Sequence, residues 1–135
     1  MSVLALATAR DLIDQAMAHA TEQFKKPVCV SVCDASGLLV AFVRQEGSPV
    51  RSVALSQGKA YSAARMGITT QAVLERMHRE KIEIGYFCDP LLTALPGATP
   101  LKDKSGALVG AIGVSGLTSA EDQQVTDHVA AKFSA

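Results

Sequence analysis

Residues Gly106–Asp122, which read GALVGAIGVSGLTSAED, restrict the fold more than any other part of the chain. A turn-forming run, Lys102-Asp103-Lys104-Ser105-Gly106, leads into them. Ala107–Val114 is short and apolar, with the valine and isoleucine that suit a buried strand. Gly110 and Gly113 weaken that strand, so they mark a place where another backbone or a ligand comes close. Ser115-Gly116 breaks the strand, and Thr118 followed three residues later by Glu121 matches the capping box that opens a helix. A strand that runs through a glycine turn into a helix N terminus can receive an anionic group, although most such turns only join a central strand to the helix packed over it.

The rest of the chain supplies partners for this central strand. Residues 3–24 have helical periodicity, with Leu6, Ala9, Ile13, Ala16, Ala20 and Phe24 on one face and His19 at its edge beside Leu12. Lys25-Lys26-Pro27 ends that helix. Val28–Cys33 and Leu38–Arg44 then read as two strands joined by a turn at Asp34-Ala35-Ser36-Gly37. Helical spacing returns from about Val50 to Arg65, Gly67 breaks it, and Thr69 or Thr70 caps a further helix to about Glu80. Residues 82–100 contain three prolines and read as loop with a brief strand near Pro100-Leu101, and a last helix covers about Ser119–Phe133. Paired strands separated from later strands by helices predict an α+β domain around an antiparallel sheet.

At 135 residues the chain is one domain, 1–135, with a single core. Its formal net charge is zero and no predicted helix carries a Lys/Arg cluster, which argues against nucleic acid or an anionic membrane surface as partner. No run of 18 apolar residues is present to span a bilayer, and the apolar start Met1–Ala7 lacks a basic leader region. It reads as the first turns of a helix in a cytoplasmic protein. A near-neutral surface also does little to keep copies apart, which fits a homo-oligomer. Cys29 and Cys33 lie about 13 Å apart along a strand, too far to bond to each other or to share one zinc ion. With Cys88, they read as small buried fillers.

Four segments together resemble the GlcG/HbpS-like family, which includes the C-terminal domain of PduO-type proteins. They are Asp34-x-x-Gly37-x-Leu39-Val40-Ala41-Phe42-x-Arg44, Lys59-Ala60-Tyr61-Ser62-Ala63, Pro96-Gly97-Ala98-x-Pro100-Leu101 and Gly106–Gly116. They follow the family order over most of the chain, although the family often has glycine at the position of Ala98. The resemblance implies a profilin-like fold with a five-stranded antiparallel sheet flanked by helices, and homo-oligomers. It also implies a setting beside cobalamin-dependent diol and glycerol metabolism or glycolate use, with haem bound by some members.

Haem-binding relatives use a histidine of the first helix as iron ligand, and the resemblance carries that role to His19, with Leu12 and Ala16 as the apolar surface beside the ring; from its place alone His19 reads equally as a boundary histidine packing at an oligomer interface. His78 and His128 have no partner at ligand spacing and read as solvated or dipole-complementing. Lys59 reads either as an exposed or salt-bridged lysine, or as a cation that pairs with a ligand carboxylate or propionate in a pocket formed with Gly97 and the Gly116 turn, or, if desolvated, as a base or Schiff-base amine. Arg44, Tyr61, Pro96 and Thr118 complete the candidate ligand-binding set. Gly110-x-x-Gly113-x-x-Gly116 has the wrong spacing for a dinucleotide fingerprint. Two readings stand: a binding module for haem or another tetrapyrrole, and a small lyase or isomerase acting on a hydroxy-acid-sized compound with Lys59 and Arg44 in its site.

Overall fold

The computed structural model describes residues 3–133. Helix α1 (Leu6–Phe24) leads through Lys25–Val28 to strand β1 (Cys29–Asp34), which turns back into β2 (Leu39–Arg44). Helices α2 (Ser52–Met66) and α3 (Thr70–Glu80) follow, then a short 3-10 helix (Ile84–Phe87), β3 (Ala98–Lys102), β4 (Leu108–Ser115) and α4 (Ser119–Lys132). The expected helical start over Val3–Ala5 is not helical, and Met1 and Ser2 lie outside the described residues. Thr69 caps α3 by accepting from the Ala72 N–H, and the Thr118/Glu121 capping box on α4 is fully formed.

All strand pairs are antiparallel, in the order β2-β1-β4-β3. Among the described residues the sheet has four strands rather than the five that the resemblance implied. The loop before β3 gives a reason. Pro90 and Pro96 cannot donate to a ladder, Asp89 turns the backbone through its side chain to the Leu91 N–H, and a 3-10 turn takes up Ile84–Phe87. The class remains α+β, an antiparallel sheet with helices on both faces.

Strand alternation divides the core into two sides. Val30, Val32, Ile112 and Val114 pack with Leu12, Ile13 and Ala16 of α1 and with Val125 and Val129 of α4. Leu12 takes the inward place expected of Leu6, which is half exposed because the helix has only begun there. The opposite side carries Cys33, Ala98 and Ala111 against Ala60, Ala63 and Ala64 of α2. These small residues bring α2 down onto the sheet. At Gly113 an added Cβ would fall on the Ser56 carbonyl of α2, so the close backbone approach suggested by the strand glycines is an internal one. Edge strand β2 is less well covered, with Leu39 exposed at its start. Cys29 and Cys33 are buried, but Cys88 is exposed on its loop and is no core filler. No helix among the described residues is long and apolar enough to cross a membrane.

Candidate functional site

The turn from β4 to α4 is filled by the chain's own groups. Asp122, in the first turn of α4, accepts from the Leu117 N–H at 3.1 Å through one carboxylate oxygen and from Lys59 Nζ at 2.9 Å through the other. Lys59 also donates to the Val114 carbonyl at 3.0 Å and is 1% exposed. Because Lys59 comes from α2 and Asp122 from α4, their ion pair ties the two helical layers together around the end of the sheet. Burial pulls the Lys59 pKa down and pushes the Asp122 pKa up, while the opposite charge of each partner opposes its shift. The anion that a helix N terminus favours is therefore supplied from within.

Gly97 passes between these side chains, where a Cβ would stand 2.7 Å from Lys59 Nζ and 2.9 Å from the Asp122 Cβ. Its N–H donates to Gln123 Oε1 at 2.8 Å, and Gln123 Nε2 donates to the Ala98 carbonyl at 3.1 Å. Pro96 is buried beside it. Gly116, at φ 139°, lies against the Pro27 carbonyl, and Thr118 is exposed with its hydroxyl in the capping box. The structure thus joins Lys59 and Gly97 near the Gly116 turn, around Asp122 rather than around an open cavity.

Arg44 lies elsewhere, exposed in a groove of about 540 Å³ with Lys25, Lys26 and Glu46. Tyr61 borders a different cavity of about 510 Å³ that also contains Ser31, Cys33 and Leu91. Its hydroxyl donates to Asp89 at 2.7 Å, and Arg65 lies over its ring. That hydrogen bond raises the Tyr61 pKa and lowers that of Asp89. Lys59, Arg44 and Tyr61 are not gathered in one cavity.

His19 is half-buried on α1, and its ring stacks on that of His128 from α4, with centroids 3.8 Å apart and planes within 10°. His128 therefore has a partner that its sequence context did not reveal. The available signal was its place beside Val129, at the rim of the α4 stripe that meets α1, just as His19 borders the α1 stripe. Stacking occupies one face of each ring and leaves the nitrogen-bearing edges free to reach a ligand. Burial, and then the neighbouring His128, lower the His19 pKa, with Lys132 adding to the shift and Glu22 opposing it. A neutral imidazole is the form that ligates iron. Leu12 and Ala16 do not offer the surface expected beside it, because both are inside the core. His78 is exposed on α3. Among the described residues, no cluster of three or more His, Cys, Asp or Glu is placed to hold a bare metal ion.

A family model described as "Haem degrading protein HbpS-like" matches residues 4–131. HbpS of Streptomyces reticuli, solved as a double mutant, superposes with a TM-score of 0.87 at 26% identity, covering 100% of this chain and 90% of that one. The Klebsiella pneumoniae protein ORFY gives 0.87 at 23% identity, covering 98% and 94%. A PduOC:heme complex gives 0.83 at 21% identity, covering 98% and 96%. The last two likenesses, at that identity, speak for the fold alone. No curated protein sequence gives a significant match. With the family pattern running from the segment before α1 almost to the end of α4, the chain belongs to the HbpS-like family.

Proposed function

We propose that the protein is a haem-binding module in which His19 supplies an imidazole to the iron. The observation that carries this reading is the stacked His19–His128 pair, half-buried where α1 meets α4. The residues fit the group: His19 would hold the iron through an imidazole nitrogen, and His128, stacked on its ring, would steady the ring's orientation. Lys132, close enough to influence His19, is a cation for a haem propionate. Membership of a family described as haem-degrading supports the choice of haem among tetrapyrroles.

One chain does not cover a porphyrin here, because Leu12 and Ala16 face inward. The proposal therefore includes a homo-oligomer in which another copy supplies the second apolar wall. Exposed Leu38 and Val50 offer apolar surface for self-association. Closed symmetry is the default for such assemblies. Service to cobalamin-dependent diol or glycerol metabolism, or to glycolate use, is the setting suggested by the family resemblance.

Hemin titration tests the reading. Wild-type protein should take up hemin saturably, with a Soret band and quenching of Tyr61 and Tyr86 fluorescence, while light scattering gives a mass above that of one chain. Unsaturable uptake would remove haem from the account. A single-chain mass for the loaded protein would remove the oligomer. Progressive loss of the Soret band under turnover with a reductant and oxygen would extend the reading from binding to degradation.

A further inference from the structure

Ser31 Oγ, among the described residues, is the one buried side-chain polar atom with no hydrogen-bond partner. Ser31 is 1% exposed, at the centre of β1, on the same side of the sheet as Cys33 and α2. Leaving a hydroxyl unpaired in such a place is costly, so an orphan hydroxyl on a cavity wall points to a group that completes it. Ser31 does line a cavity, the one of about 510 Å³ between β2, the first half of α2 and the loop at Pro90-Leu91. The opening exists because α2 lies over the inner strands and leaves edge strand β2 largely uncovered on this side.

The walls restrict what the cavity can hold. Leu39, Val53, Ala54 and Leu91 are apolar, Gln57 donates its side-chain amide to the Val53 carbonyl, and no charged side chain lines it. The charges that border Tyr61 are engaged, Asp89 by the Tyr61 hydroxyl and Arg65 over the Tyr61 ring and on the Ser36 carbonyl. Cys33 donates its thiol to the Ala60 carbonyl, and burial pushes its pKa up to about 12, so no thiolate faces the cavity at neutral pH. A carboxylate or phosphate would find no counter-charge here, and a pure hydrocarbon would leave Ser31 unpaired. The volume lies within the range of ordinary small-molecule sites.

We propose that this cavity binds a small uncharged molecule with an apolar body and a single hydroxyl or carbonyl group, which pairs with Ser31 Oγ. The site is distinct from the haem site: Ser31 and α2 lie on one side of the sheet, His19 and His128 on the helices of the other. Its fate is therefore independent of whether haem binds.

Benzyl alcohol, toluene and benzoate are suitable probes, because they share a ring and differ in the group presented to Ser31. Amide chemical shifts of the isotope-labelled full chain report where each binds. Benzyl alcohol should shift Ser31, Ala54 and Leu91 saturably, toluene should bind more weakly, and benzoate should not bind. Ser31→Ala should weaken benzyl alcohol about fivefold, the loss of one hydrogen bond, and leave toluene unchanged. Ala54→Phe, at an exposed position of α2 on the cavity mouth, should abolish binding of both without disturbing the core. Shifts elsewhere, benzoate binding as well as benzyl alcohol, or indifference of benzyl alcohol to Ser31→Ala would overturn the proposal. So would a drop in assembly mass on Ala54→Phe, which would show that another copy fills the cavity.

Discussion

Lys59→Met should destabilise the fold by about 3–5 kcal/mol, the cost of leaving one member of a buried ion pair alone. Methionine keeps most of the aliphatic stem, so packing between α2 and the sheet is nearly conserved. What disappears is the cation 2.9 Å from the Asp122 carboxylate and 3.0 Å from the Val114 carbonyl. Asp122 would retain only the Leu117 N–H in a site from which water is excluded. The double variant Lys59→Met, Asp122→Leu removes both charges and should recover most of the loss, because apolar replacement of a buried pair is often near neutral. Urea unfolding of the three proteins measures this. A loss below about 1 kcal/mol for the single variant would mean that the lysine is solvated, as exposed ion pairs contribute no more than that.

Gly113→Val should cost about 3 kcal/mol or more, since small-to-large changes in a filled core force backbone shifts. The added atoms meet backbone rather than a flexible side chain: the Ser56 carbonyl, the Ala60 nitrogen at 2.7 Å and the Ala60 Cβ at 3.1 Å. Relief requires α2 to lift from β4, which would also pull Lys59 away from Asp122. Gly113→Ala already brings in the offending carbon and should lose part of that amount. Gly85→Ala is the control, because a Cβ there meets nothing within 4 Å, and it should change stability by less than about 0.5 kcal/mol. A Gly113→Val protein as stable as wild type in urea would show that the α2–β4 contact is loose.

Both effects arise in segments whose local chemistry is plain in the sequence. Thr118 and Glu121 announce the start of α4, Asp34–Gly37 the first hairpin, and Gly113 a close approach, because each depends on residues near in the chain or on one special backbone property. The four strands themselves were legible in the residues. A fifth strand was implied by resemblance, whereas the proline-containing loop before β3 takes a 3-10 turn and an Asx turn in this chain. Lys59 illustrates the limit at the site. Its association with Gly97 and the Gly116 turn was legible, but its partner Asp122 lies 63 positions away, and only the way α4 folds back over the end of the sheet brings them together. The same holds for His128, which meets His19 only because α1 and α4 pack side by side. Ser31 gives no sequence signal at all, since an inward serine on a strand is ordinary until its missing partner is seen.

The iron-ligand role proposed for His19 is the centre of the functional account, and absorbance of the hemin-loaded protein beside its His19→Ala variant tests it most directly. Ligation would set the electronic spectrum, whereas burial of the ring in the proposed assembly would set most of the affinity, so the two effects separate. His19→Ala should move the Soret maximum and the reduced-state bands while total hemin uptake changes less. His128→Ala, which removes the stacking partner and not the ligand, should leave a histidine-ligated spectrum. Superimposable spectra for wild type and His19→Ala would contradict the account and take His19 out of the site.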